Sequence, residues 1–215
     1  MPMDDRTVPA KLRDAAIELV ASGGAEAATV RAVAERAGVS PGLIRHYFGS
    51  SAGLIEACDK YVAEVIRDVK TEATNHPSGP MVFARLRDRR IPDLNGYLAH
   101  RLLEDTPTVN ALVDQLIDDA EDYVGSEAPE GVVKPSKHPK QRTQLLTILA
   151  LGSVVLHRHV KRLLDVDLAA HDLSQEPGIA IYLRTMLEIF SGLYTDDTLQ
   201  ALNQALDFYD EGQPS

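Results

Sequence analysis

The sequence predicts an all-helical protein, on three observations. Apolar residues recur at helical spacing from end to end, no stretch sustains the apolar/polar alternation of a strand, and glycines and prolines fall between the apolar stripes. The 215 residues are 44% hydrophobic and 25% charged, which suits one or two ordinary domains and excludes disordered and collagen-like chains. Leu12, Ala15, Ala16, Leu19 and Val20 form one apolar stripe that stops at Gly23 and Gly24, a first helix with a glycine end. Thr29 is placed to N-cap a second helix of about two turns, along which Val30, Val33, Ala34 and Ala37 repeat the stripe until Gly38 ends it. Ser40 offers a cap hydroxyl and Pro41 occupies a first helical position, so a third helix begins almost at once. Two short helices joined by so tight a turn must cross, and the layout is helix-turn-helix.

A long helix follows Ser50 and Ser51, with Leu54, Ile55, Cys58, Val62, Val65, Ile66 and Val69 on its stripe, ending near Asn75. From residue 80 to about 126 the helices are bounded irregularly by Pro80, Pro92 and Pro107, and residues 125–140 read as a mobile connector rich in proline and glycine. Residues 141–164 form an almost wholly apolar helix expected to be buried on most sides. Two last helices, at 176–194 and 198–211, carry Ile179, Tyr182, Leu183, Met186 and Phe190 on one and Leu199, Leu202 and Leu206 on the other. That is more apolar surface than one core needs, and it is the expected homodimer interface. The count is about nine helices, divided into a helix-turn-helix domain at 1–54 and a ligand-binding and dimerisation domain at 55–215.

Residues 29–48, TVRAVAERAGVSPGLIRHYF, with the apolar first helix before them and the serine-rich helix start after them, resemble the DNA-binding segment of the tetracycline-repressor (TetR) family of bacterial regulators. The resemblance is specific over about residues 10–58; beyond residue 60 only the helix count and the paired C-terminal helices are similar. It implies a homodimeric regulator, most often a repressor, with a small-molecule pocket in the middle helices. Two positions depart from the family pattern: Ser51 stands where relatives commonly carry lysine, and Pro41 where a cation is frequent.

The residues support that reading independently. A two-turn helix fits the major groove, and Ser40, Pro41, Leu43, Arg45, His46 and Tyr47 are its candidate DNA contacts, while Ile44 and Phe48 are the inward pair. Arg45 is the long donor able to pair bidentately with guanine, and His46 and Tyr47 look like the family's phosphate-contacting pair. Thr29 at a helix N-terminus, Arg31 and Ser51 complete the expected phosphate set. The candidate effector contacts, drawn from amphipathic residue types, are Tyr61, Phe83, Tyr97, His100, Arg101, Gln115, Tyr123 and His157.

Charge limits the binding face. With 22 Lys and Arg against 32 Asp and Glu the net charge is −10, which argues against binding a polyanion with the whole surface. Residues 1–60 carry seven cations and eight acids, so the DNA face is only weakly basic and a shallow salt dependence is expected. The single cysteine excludes an internal disulfide and a cysteine-based zinc site. Residues 1–6 do not resemble a secretory signal, and the longest apolar stretch, at 145–156, is too short to span a bilayer, so a cytoplasmic location without membrane contact is expected.

Gly38-Val39-Ser40-Pro41-Gly42 matches the G-x-S-x-G pattern of a hydrolase nucleophile elbow. An elbow needs a strand before its serine and an amide N–H after it; here a helix precedes and proline follows, so no enzyme is expected. His157 and His159 stand two apart on a helix and point to opposite sides, His100 and Glu104 suit a polar lining, and neither a metal site nor a cofactor is expected. The alternative function is a helical small-molecule-binding or protein-interaction module that keeps the helix-turn-helix only as scaffold.

Overall fold

The computed structural model describes residues 7–75, 93–125, 128–170 and 172–211. They form ten α-helices: α1 Val8–Gly23, α2 Val30–Ala37, α3 Gly42–Phe48, α4 Ser51–Asn75, α5 Leu94–Arg101, α6 Pro107–Val124, α7 Pro139–Val155, α8 His157–Leu164, α9 Ile179–Ile189 and α10 Asp196–Glu211. The boundaries expected at Pro80 and Pro92 lie outside the described residues. The first helices form as the spacing predicts. Thr7 and Thr29 cap α1 and α2 by accepting from the amides of Ala10 and Ala32. Gly24 closes α1 at φ 76°, and Gly38 closes α2 at φ 67°.

The start of α3 differs from expectation. Pro41 precedes the helix instead of opening it, and no side chain caps α3; the carbonyls of Ser40 and Pro41 accept from Leu43 and Ile44 at 3.1 and 3.2 Å. The Ser40 hydroxyl is therefore left at the surface. Ser50 takes the capping role one helix later, accepting from the amide of Gly53 at 3.0 Å.

One apolar cluster holds the molecule together. Leu12, Ala15, Ala16, Ile17 and Val20 of α1 meet Val33 of α2 and Ile44 of α3 on one side. The same stripe meets Leu54, Cys58, Val62 and Ala63 of α4, Tyr97 and Leu98 of α5, and Leu112 and Leu116 of α6 on the other. Helix α5 lies so close to α1 that a side chain at Gly96 would stand 3.0 Å from the Ala21 methyl. The core thus runs straight across residue 54, the expected domain boundary.

Three expectations are corrected further along. The helix expected at 141–164 breaks at Leu156, whose φ of −90° and ψ of 18° leave helical values. The break lets Val160 pack on Val166 and Leu168 and brings His157 to 2.8 Å from Asp167, which one straight rod would not allow. Nor is this region buried on most sides: Leu145, Ile148, Leu149, Leu156, Leu163 and Leu164 are exposed, because α7 and α8 cover only one flank of the core. Finally, the connector expected to be mobile is pinned in its middle. Lys134 donates to the Leu193 carbonyl at 2.7 Å, Thr195 donates to that of Val132 at 3.1 Å, and the Thr195 hydroxyl donates to that of Gly131 at 2.6 Å. An extended segment has free backbone groups, and the turn after α9 satisfies them, which also ends α9 well before Tyr194.

A chain cut after residue 54 loses every partner of the α1 stripe contributed by Cys58, Val62, Tyr97, Leu98, Leu112 and Leu116. That fragment is expected to give no cooperative unfolding transition by circular dichroism, and a sharp transition in it would restore an independent N-terminal domain.

Candidate nucleic-acid interface

Helix α3 is presented by its apolar underside. Ile44 is 1% exposed and packs with Val33, Leu54 and the α1 stripe, while Leu43 and Phe48 are half-buried. Burying such a side chain is worth about 1.5–3 kcal/mol, enough to fix so short a helix in one orientation. The crossing itself is set at Gly38. Its positive φ allows the Gly38 amide to reach the Glu35 carbonyl at 3.2 Å and the Val39 amide to reach that of Ala34 at 2.9 Å, a paired closure that turns the chain at once into α3.

What is left outward is a compact polar face. Ser40, Pro41, Arg45, His46 and Tyr47 are all exposed, and so are Thr29 and Arg31 at the start of α2 and Ser51 at the start of α4. The rings of His46 and Tyr47 meet edge to face at 4.7 Å, so the two donors brace each other on one flank of α3. Arg45 and Arg31 form no ion pair among the described residues, whereas Arg36 is held by Glu18 at 2.9 Å. Of the nine expected contacts only Leu43 is partly covered. Sequence spacing missed the cap at Ser50, which fixes the helix start beside α3; a serine pair before a long stripe was the available signal.

Among the described residues the expected effector residues fall in several places. Tyr97 and Arg101 come together, but on each other's partner: the Tyr97 hydroxyl donates to Asp59 at 2.6 Å, and Arg101 donates to both oxygens of the same carboxylate at 3.1 and 2.8 Å. Both are buried. Burial works against the Arg101 charge, and its bonds to Asp59 and Glu104 outweigh that cost. The Tyr97 hydroxyl is held protonated by burial and by the Asp59 charge. Gln115 is exposed and spends its amide on Asp119 at 2.8 Å, while His157 belongs to the separate small cluster around Asp167. Tyr61 lies under the Arg13 guanidinium, 3.4 Å from the ring centre. Tyr123 and His100 are half-buried, and burial pushes the Tyr123 hydroxyl up to about 12. Phe83 lies outside the described residues. Asp59, which organises this arrangement, escaped sequence reading because it sits beside the apolar stripe of a long helix. A shallow groove of about 260 Å³ lies elsewhere, between α1 and α4, lined by Arg13, Phe48, Lys60 and Tyr61 among others.

Comparison with known proteins identifies the architecture. A family profile described as "Bacterial regulatory proteins, tetR family" matches residues 12–58, and one described as "Tetracyclin repressor-like, C-terminal domain" matches residues 90–195. The HTH-type transcriptional regulatory protein RaaS of Mycobacterium tuberculosis is 32% identical over 188 residues, covering 85% of this chain and 88% of that protein. The chain belongs to the TetR family.

The HTH-type transcriptional regulator BetI of Burkholderia thailandensis is 33% identical over 86 residues, covering 40% of this chain and 43% of BetI. In fold, the chain matches a tetR-family transcriptional regulator from Streptomyces coelicolor with a TM-score of 0.56 at 18% identity, covering 100% of this chain and 92% of that one. A transcriptional regulator from a Rhodococcus species gives a TM-score of 0.50 at 16% identity, covering 96% and 97%. This TetR-family protein is therefore a DNA-binding transcriptional regulator, and response to a ligand is typical of its family. Among the described residues no helix is long and apolar enough to cross a membrane. The G-x-S-x-G match falls in the turn between α2 and α3, with a helix rather than a strand before Ser40.

Cys58 is fully buried, its thiol directed at the Arg13 carbonyl at 3.7 Å, and burial with the neighbouring Asp59 charge pushes its pKa up to about 12. A thiol so held is a packing group, not a reactive thiolate. The folded regulator is expected to resist iodoacetamide at pH 8 and to be labelled fully once unfolded in urea; rapid labelling of the native protein, read by mass spectrometry, contradicts this.

Proposed function

We propose that this TetR-family regulator is a homodimeric repressor that binds a near-palindromic operator and is released by a small molecule. The observation that carries the reading is the exposed, acid-free face made by Pro41 before α3 and by Arg45 and His46 on it, above a buried Ile44. Arg45 reads a guanine edge; His46, Tyr47, Thr29, Arg31 and Ser51 hold phosphates; Ser40 and the apolar Pro41 and Leu43 meet base edges or thymine methyls. Few cations take part, so binding loses affinity gently as salt rises. On this reading the protein has no enzymatic activity and works in the cytoplasm, with residues 1–54 reading DNA and residues 55–215 dimerising and taking the effector.

The dimer surface follows from exposure. Ile179 and Leu206 lie inside the subunit, and Tyr182, Leu183, Met186, Phe190, Leu199 and Leu202 are half-buried. Ile181 and Ile189 of α9 are 64% and 65% exposed, and Leu145, Ile148 and Leu149 of α7 make a second apolar row. The proposed interface therefore combines α9 with α7, extending the face that α9 and α10 were expected to form alone. To read successive major grooves the second copy has to set the two α3 helices about 34–36 Å apart, one turn of duplex.

Two measurements test this. In an electrophoretic shift with DNA from upstream of its own gene, wild type is expected to bind a footprinted site, and Arg45→Ala to lose about 1–3 kcal/mol of preference for it over random duplex. Binding by neither protein at low salt removes the function. In sedimentation at micromolar concentration wild type is expected at twice the chain mass of 23.5 kDa and Ile148→Glu at that mass itself; a monomeric wild type ends the dimer reading.

A further inference from the structure

We propose that Asp59, Tyr97 and Arg101 are positioning residues for DNA binding: they form a clasp that fixes the tilt of α4 against the C-terminal helices and thereby the spacing of the two recognition helices. The proposal rests on the dimeric reading above. Asp59 sits about 12 Å along α4 from the end that abuts α3, at a rise of about 1.5 Å per residue. Its carboxylate takes three hydrogen bonds from α5, one from Tyr97 and two from the fork of Arg101. The same guanidinium also bonds Glu104 and reaches Thr108 at 3.4 Å. Thr108 shares a 3.0 Å bond with Thr106, whose hydroxyl caps α6 through the Val109 amide. A continuous hydrogen-bonded path therefore runs from the DNA-side third of α4 to the first turn of α6.

Its chemistry suits positioning better than stability. Arg101 and Asp59 side chains are 3% and 8% exposed, and burying two charges roughly cancels what their attraction returns. What a two-pronged pair adds over apolar contact is direction, because the fork accepts a carboxylate in one plane and at one angle. Helix α5 also packs closely on α1 at Gly96, so the clasp ties α4 to a helix that α1 holds as well. With every polar atom of Tyr97 and Arg101 turned toward Asp59 and its neighbours, these two residues transmit an effector signal rather than receive the effector.

The test uses the full chain and two duplexes: the whole operator footprinted upstream of its own gene, and one half of it. The variants are Tyr97→Phe, which removes one hydroxyl, and the double variant Asp59→Leu with Arg101→Met, which replaces the charges by apolar groups. Both are expected to bind the whole operator about tenfold more weakly, within the roughly 5–150-fold of ordinary coupling, and to bind the half-site as wild type does. A clasp that only held the fold together would weaken both duplexes alike, and that result overturns the proposal. So does wild-type affinity of the variants for the whole operator. If wild type itself binds no upstream duplex, the regulator reading fails first and takes this one with it. Should the double variant not fold, Tyr97→Phe alone decides, since it leaves the ion pair in place.

Discussion

The apolar stripe of α1 is the constraint on which everything else rests. Leu12, Ala16, Ile17 and Val20 are wholly buried, and they are buried from two directions. From one side α2 and α3 cover the stripe, which gives a seven-residue recognition helix the footing that its own hydrogen bonds could never supply. From the other side α4, α5 and α6 cover it, so the same residues also anchor the body. The helix-turn-helix and the helices that follow it are therefore two faces of one packed layer. Helix α4 runs unbroken past residue 54 and joins them.

Within that layer polar groups are placed where orientation matters. The chain is strongly acidic, yet the exposed face of α3 carries no acid and presents Arg45 unpaired among the described residues. Acids are instead used inside or on the far side: Glu18 occupies Arg36, and Asp119 and Asp122 occupy Arg67 at 3.8 and 3.0 Å. The acids of α6 are thus partly turned inward, with Asp119 6% exposed. Such pairing removes cations from the pool available to phosphate. It leaves an interface that leans on a few well-placed donors more than on summed charge.

The helices far from α3 leave apolar surface uncovered. Large apolar side chains on α7, α8 and α9 face outward while Val166, Leu168 and Ile179 form only a small cluster beneath them. The 165–178 segment is nonetheless firmly tied: Glu176 accepts from Lys161 at 2.9 Å and from the Asp167 amide at 2.7 Å. A well-fastened frame under an uncovered apolar surface is what a subunit contact requires.

The sequence by itself determined the helical class, the caps at Thr29 and Gly38, the inward Ile44 and the outward Arg45, His46 and Tyr47. All of these follow from local spacing: a residue's side of a two-turn helix is fixed by its neighbours three and four positions away. Only the tertiary structure decided that Tyr97 and Arg101 serve Asp59, that the core ignores residue 54, that the helix after residue 139 breaks at Leu156, and which apolar rows of α7 and α9 stay open. Those outcomes depend on which helices lie side by side across dozens of residues of chain. Periodicity tells how much apolar surface a helix has, but not which neighbour arrives to cover it.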